Sequence, residues 1–110
     1  MRYCKGDVVN VVFLLPDGQT KEHPAIIVSN DDLQEKEGFL YLVMISSKNV
    51  SSEYGFELTD EMLTKPMSKK SFVKCQIIAG YTEKDIIGRH GKIKIPYLKQ
   101  IIEKIIVSIF

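Results

Sequence analysis

The chain has no apolar run close to the roughly 18 to 20 residues that a membrane-crossing helix needs, so no membrane span is expected. It has only two cysteines, Cys4 and Cys75. They lack CxxC spacing and have no histidine pair nearby, which argues against a disulfide framework or a zinc site and for a reduced, cytoplasmic protein. From Met1 the sequence passes to Arg2, Lys5 and Asp7 without an apolar core, so no secretory signal is expected. P-loop, GxGxxG, GxSxG and HExxH patterns are all missing. Repeats, low-complexity tracts and interdomain linkers are missing too.

What remains is a chain of 110 residues with 45% apolar content, enough for one domain (1–110) with a modest core of its own. Its net charge is only +1 but is unevenly distributed. Residues 1–64 carry 5 Lys/Arg and 11 Asp/Glu, whereas residues 65–110 carry 10 and 3. Such an asymmetry can make a basic face for phosphates or for an acidic peptide. Its simpler consequence is that charges of both signs mix once the chain folds.

Local pattern predicts a β protein. "GDVVNVVFLL" (6–15) is rich in β-branched residues and reads as a strand. "PDGQ" (16–19) is turn chemistry. "KEHPAIIVSN" (21–30) is the returning strand of a hairpin, with Pro24 requiring an edge, bulge or barrel corner and His23 expected near the hairpin's open side. "DDLQEKEG" (31–38) reads as a polar surface loop closed by Gly38, and "FLYLVMISS" (39–47) as a central strand. A mobile polar loop from Lys48, a short strand at Gly55 to Leu58 and a turn or short helix at 59–63 follow. "SFVKCQIIAGY" (71–81) is a further strand, with Gly80 as bulge or exit. Thr82 and Asp85 predict a capped helical turn, "GRHG" (88–91) a turn, and "KIKI" (92–95) a last strand. Pro96 then opens a helix whose Leu98, Ile101, Ile102, Ile105 and Ile109 form one apolar stripe. The expected fold is mainly β: a small, strongly curved barrel of five to seven mostly antiparallel strands with a C-terminal α-helix.

The polar groups at strand ends are the candidates for chemistry: His23, Ser29, Asn30, Ser46, Ser47, Lys74, Gln76, Arg89 and His90. Each has a plain structural reading. His23 can be an edge imidazole bonded to a carbonyl, the serines can satisfy local backbone, Lys69, Lys70 and Lys74 can be a solvated face, and the cysteines can be inert. Phe39, Tyr41, Tyr54 and Phe56 belong to core or rim unless an exposed ring stacks a base.

In order and spacing, "KGDVVNVVF", "DGQTKEHPAIIVSND", "LYLVMISS", "YGFEL" and "SFVKCQI" resemble the MazF/PemK (Kid) family of toxins from type II toxin–antitoxin systems. The resemblance runs from Lys5 to the terminal helix. It implies an SH3-like barrel, a homodimer, and a metal-independent endoribonuclease (mRNA interferase) that cleaves single-stranded RNA with no cofactor and is bound by an acidic antitoxin peptide. In that chemistry the ribose 2′-OH attacks its own phosphate, so the protein supplies a proton acceptor, a proton donor and positive charge. By resemblance, His23 stands where the family has arginine and takes proton transfer. Ser46 contacts phosphate or the 2′-OH, Lys74 neutralises charge, and Gln76, where the Kid branch has aspartate, orients substrate. Ser47, Lys69 and Lys70 become RNA contacts. The His-for-Arg and Gln-for-Asp exchanges raise an alternative: a catalytically degenerate member that binds RNA or an antitoxin peptide without cutting. A third reading is an unrelated SH3-like barrel that binds only protein.

Overall fold

Alternation of β-branched and aromatic residues builds the first hairpin. In a computed structural model that describes residues 2–48 and 53–110, β1 (Asp7–Leu14) pairs antiparallel with β2 (Thr20–Ile27), from Val8 opposite Ile26 to Leu14 opposite Thr20. The connection uses the predicted turn residues: Gly18 adopts φ +86°, and the Gln19 amide donates to Asp17 Oδ1 at 2.9 Å. β3 (Leu40–Ser46) lies between β2 and β5 (Ser71–Tyr81), β4 (Gly55–Leu58) pairs with β5, and β6 (Gly88–Lys92) pairs with β1. The result is one six-stranded antiparallel sheet in the order β4-β5-β3-β2-β1-β6.

The sheet curls into a half-barrel. β5 and β1 are not neighbours in it, yet Tyr81 Oη donates to the Val12 carbonyl at 2.8 Å, and the Tyr81 and Phe13 rings meet edge to face at 5.6 Å. Successive side chains in a strand point to opposite faces, and here both faces are covered. Val9, Val11, Phe13, Ala25, Ile27, Leu40, Leu42 and Met44 fill the inside of the curl. On the outer face Val8, Ile26, Val43, Ile45, Val73 and Cys75 pack with Leu98, Ile101 and Ile105 of α2 (Ile95–Ile109). That double burial explains the nearly continuous apolar runs of β1 and β3.

Several expectations needed correction. Residues 31–38 are not a loop: α1 (Asp31–Glu37) forms there, with Asn30 Oδ1 accepting from the Leu33 amide at 2.8 Å and Gly38 at φ +75° closing it. Asp31 and Asp32 in the first turn and a Lys36–Asp32 pair at 3.1 Å add to it. "GRHG" is not a turn but most of β6, because Gly88 and Arg89 pair with Asn10 and Val9. "KIKI" is correspondingly not a strand. Ile93 makes a single bridge to Leu63, Lys94 caps α2, and Ile95 begins it. The bulge of β5 lies at residues 75–77, between the pairs Val43–Ile78 and Met44–Lys74, not at Gly80. Gly80 instead admits the Tyr41 ring, which would stand 3.2 Å from an added Cβ. His23 lies opposite Val11 at the fourth of eight positions in β2, hence mid-strand.

The Thr82 turn forms as a short 3-10 segment (Glu83–Asp85), with Asp85 Oδ2 accepting from the Thr82 amide at 2.8 Å. A second 3-10 turn occupies Asp60–Met62. Residues 49–52 of the predicted mobile loop lie outside the described residues. Charges of the two halves do mix: Lys70 pairs with Glu57, and Arg89 and Lys92 pair with the fully buried Asp7. Among the described residues no helix is long and apolar enough to cross a membrane.

The curl and the helix make separable contributions. Ile101→Ala, at a position with no exposed surface, is expected to cost about 2–5 kcal/mol in urea unfolding. Tyr81→Phe, which loses only the bond to Val12, is expected to cost about 1 kcal/mol.

Candidate functional site: a lysine-lined cleft where two strands part

β2 and β3 pair only over Ala25–Ile27, so Thr20–Pro24 are held by β1 alone. Extending the β2–β3 register by one residue sets Pro24 opposite Ile45. Proline has no N–H to offer a ladder. The Ile45 carbonyl takes its hydrogen bond from the His23 ring instead, Nδ1 to O at 3.2 Å. Beyond this point the strands part, and a cleft of about 310 Å³ opens between them. Its walls are Lys21 to Pro24 of β2, Ile45 to Lys48 at the end of β3, and Met67, Ser68, Lys69 and Ser71 from the connection into β5.

The bond to Ile45 fixes the histidine's chemistry. A carbonyl oxygen only accepts, so Nδ1 carries the proton, and in the neutral ring Nε2 is left as the basic nitrogen. Partial burial lowers the His23 pKa below 6.5, the Ile45 bond opposes that, and the Lys21 charge reinforces it. The ring is therefore mainly neutral at pH 7, a base ready to take a proton. Phe13 backs it, with ring centroids 6.1 Å apart at 78°.

Around this base the charge is mostly positive. Lys21, Lys48 and Lys69 line the cleft against one carboxylate, Glu22. Ser46 Oγ accepts from the Lys48 amide at 3.1 Å, so it turns the strand end as its structural reading requires, and its own proton remains available to a phosphate oxygen. Ser71, buried, donates from Oγ to the Lys69 carbonyl at 2.9 Å and fixes the bend behind that lysine. Among the described residues no group of three metal-ligating side chains comes together.

Of the residues singled out in the sequence, the cleft gathers His23, Ser46, Ser47 and Lys69. It does not gather Lys74, Gln76 or Lys70. Lys74 is buried on β5, opposite Met44 and Gly55, two positions along the ladder from the Ser46–Phe72 pair and hence on the same face. Gln76 sits exposed in the β5 bulge, out of register with β3. Lys70 turns to Glu57 at 3.8 Å and lies over the Phe72 ring. None of Phe39, Tyr41, Tyr54 and Phe56 lines the cleft. Arg89 is held at 3.6 Å by Asp7, and Cys75 is a core thiol that burial pushes up to about 11.

Sequence reasoning missed Lys21, Glu22, Lys48, Met67, Ser68 and Ser71. Lys21 was within reach of it, since a strand puts residues i and i+2 on one face and His23 was already a candidate. The residues of the 67–71 bend carried no such signal.

Because protonation of His23 is disfavoured in the fold, its stability contribution is fully present above pH 6.5 and is lost as pH falls through the lower folded-state value. An NMR titration of the His23 ring should show a midpoint below 6.5, and His23→Gln should flatten this part of the stability–pH curve. A midpoint at or above 6.5 would remove the neutral-base assignment.

The sequence family described as PemK-like, MazF-like toxin of type II toxin-antitoxin systems matches residues 5–109. No protein of curated function matches the chain. Among solved structures, an endoribonuclease in complex with its cognate antitoxin from a mycobacterial species superposes with a TM-score of 0.76 at 13% identity, covering 96% of this chain and 93% of that one. MazF from Deinococcus radiodurans gives 0.75 at 12%, covering 94% and 92%. A MazE–MazF complex from the same organism gives 0.74 at 12%, covering the whole of both chains. At such identities these likenesses establish the fold, and the sequence family match establishes kinship. The half-barrel with its terminal helix, and the match across residues 5–109, show that this chain belongs to the PemK-like, MazF-like toxin family of type II toxin–antitoxin systems.

Proposed function

We propose that this protein is the toxin of a type II toxin–antitoxin pair and acts as an endoribonuclease on single-stranded RNA. The observation that carries the reading is the cleft itself, which places a neutral histidine base beside three lysines and a strand-end serine. Neutral Nε2 of His23 takes the proton of a ribose 2′-OH, and the alkoxide attacks the adjacent phosphorus. Lys69 holds the phosphate in ground and transition states alike, Lys48 and Lys21 offset the charge that grows on its oxygens, and Ser46 donates to one of them. The imidazolium so formed can return its proton to the departing 5′-oxygen. The nucleophile belongs to the substrate, so neither a protein nucleophile nor a metal is required, and DNA lacks the hydroxyl that reacts.

Lys74 and Gln76 enter as contacts beyond the cleft, Lys74 as charge under the same face and Gln76 as an orienting group for a flanking nucleotide. Ser47 and Lys70 extend the RNA contacts. In this reading the protein is a single cytoplasmic toxin domain over 1–110 that works as a homodimer and is neutralised by an acidic antitoxin peptide. The solved relative described as bound to its cognate antitoxin, and the cluster of cleft lysines, support that partner class.

A second reading has its own support, because His23 stands where relatives have an arginine fork and Gln76 where the Kid branch has a carboxylate. A histidine gives up the bidentate phosphate contact, and the protein would then bind RNA or the antitoxin without cutting.

Incubation with a long RNA in EDTA separates the two readings. Cleavage with 2′,3′-cyclic phosphate ends is expected, with a rate that falls as pH drops below the His23 midpoint. His23→Ala should slow it by about 10²- to 10⁴-fold while thermal stability changes little. Salt-sensitive RNA binding without cleavage would favour the second reading, and neither binding nor cleavage would end both. Lys69→Ala should reduce the slope of log affinity against log salt by about 0.7 if that lysine meets a phosphate.

A further inference from the structure

One wall of the cleft arrives from an unexpected direction. Lys69 reaches it on the segment between the Asp60–Met62 turn and β5, and that segment is anchored on the far side of the molecule, along β6 and its exit. The Thr64 amide donates to the Lys92 carbonyl at 2.9 Å, the Lys92 amide donates to Thr64 Oγ1 at 2.8 Å, and the Lys94 amide donates to the Met62 carbonyl at 2.8 Å. Gly91, at φ +105°, lets the strands touch: an added Cβ would stand 2.9 Å from Thr64 Oγ1 and 3.1 Å from Lys65 Cβ. Past Thr64 these bonds cease. From Lys65 to Lys69, apart from the local Ser71 bond to Lys69, the one hydrogen bond among the described residues that ties this backbone to another element is His90 Nε2 to the Pro66 carbonyl, at 3.1 Å. Because a carbonyl only accepts, Nε2–H donates. His90 is on β6, β6 pairs with β1, and β1 carries the part of β2 that holds His23. Beside the packing of Met67 on the core, this bond is the wall's hydrogen-bonded anchor, and it is referenced through β1 to the same frame as the base.

We propose that His90 is a positioning residue for the cleft: its bond to Pro66 sets where Lys69 stands relative to His23, and hence how RNA phosphate is held. This rests on the ribonuclease reading for its link to RNA, while the clamp stands on geometry alone. Lys69 would meet the phosphate in both ground and transition states, so loosening it acts on KM more than on kcat.

Two measurements on the full chain decide the matter. NMR order parameters of the 67–70 amides, taken without RNA, should fall in His90→Ala from those of a rigid backbone, about 0.85, toward the flexible range below about 0.6. The β1–β3 amides should keep their wild-type order parameters, and His90→Gln, whose side-chain amide can donate in place of the ring, should restore order at 67–70. In cleavage assays His90→Ala should raise KM by roughly three- to tenfold, the factor that one net hydrogen bond is worth, with kcat within about twofold, and it should add nothing in a Lys69→Ala background. Gly91→Ala, which presses on Thr64 and Lys65 while leaving the imidazole intact, should raise KM in the same way and serves if His90→Ala does not fold. Unchanged order parameters at 67–70, or a fall throughout the sheet, would overturn the clamp whether or not RNA is cut. An undiminished His90→Ala penalty in the Lys69→Ala background would overturn its link to Lys69. A wild-type protein that cuts no RNA would remove the ribonuclease reading and leave the order parameters to judge the clamp.

Discussion

Pro24 has no amide proton, and β2 does not continue its ladder with β3 beyond Ala25. The opening that results holds the cleft. The Ile45 carbonyl would be left without a strand partner there, and the His23 ring supplies the missing bond, Nδ1 to O at 3.2 Å. One backbone constraint therefore makes the gap, orients the imidazole and selects the tautomer that turns a basic nitrogen away from the sheet. Partial burial and the Lys21 charge then keep that nitrogen unprotonated near neutrality. The bond that satisfies the ring, as its structural reading required, is also the one that leaves Nε2 as the basic nitrogen.

The rest of the fold supplies what that opening needs around it. Both faces of the sheet are buried, one inside the curl and one under α2, so the strands that flank the cleft are held from two sides. The bulge at residues 75–77 reverses which side chains of β5 face inward: Val73 and Cys75 pack toward the helix, while Ile77, Ala79 and Tyr81 pack inside the curl. That reversal brings Tyr81 to Val12 and closes the curl against β1. It also leaves Lys74 on the face of Met44 and carries Gln76 out of register, which is why two residues chosen by resemblance lie outside the cleft.

Kinship with the toxin family and the departures from its pattern fit one physical picture. An arginine would give a fixed charge and a fork for phosphate; His23 gives a group that exchanges a proton, and three lysines around it provide charge as separate points. On the proposed reading, acid–base capacity is gained at that position and bidentate geometry is given up. Positioning of the lysines then matters more, since a point charge on a flexible stem depends on its anchorage, and the 65–69 segment is held by Met67 packed on the core and, among the described residues, by one hydrogen bond from β6.

Much was legible in the sequence because it depends on neighbours a few residues apart. Apolar runs rich in β-branched or aromatic residues and bounded by turn residues located β1, β2, β3, β4 and β5, Pro16 to Gly18 placed the hairpin turn, and the isoleucine spacing after Pro96 drew the helix with its buried face. His23, Ser46, Ser47 and Lys69 could be chosen from the family register. Two local signals were misjudged: the Asn30 cap and Gly38 stop of α1, and the glycine-flanked "GRHG", whose strand character comes from pairing with β1 rather than from propensity. The sequence by itself determined β1 to β5, the turn of the first hairpin and the terminal helix, and it put His23 among the candidates. Only the tertiary structure decided that Lys21, Lys48, Ser68 and Lys69 share one space with His23, and that His90 secures the far wall. Those placements depend on strand register, on a bulge that shifts β5, and on contacts between residues more than twenty positions apart. Long-range geometry of that kind leaves no periodic trace in the order of the residues.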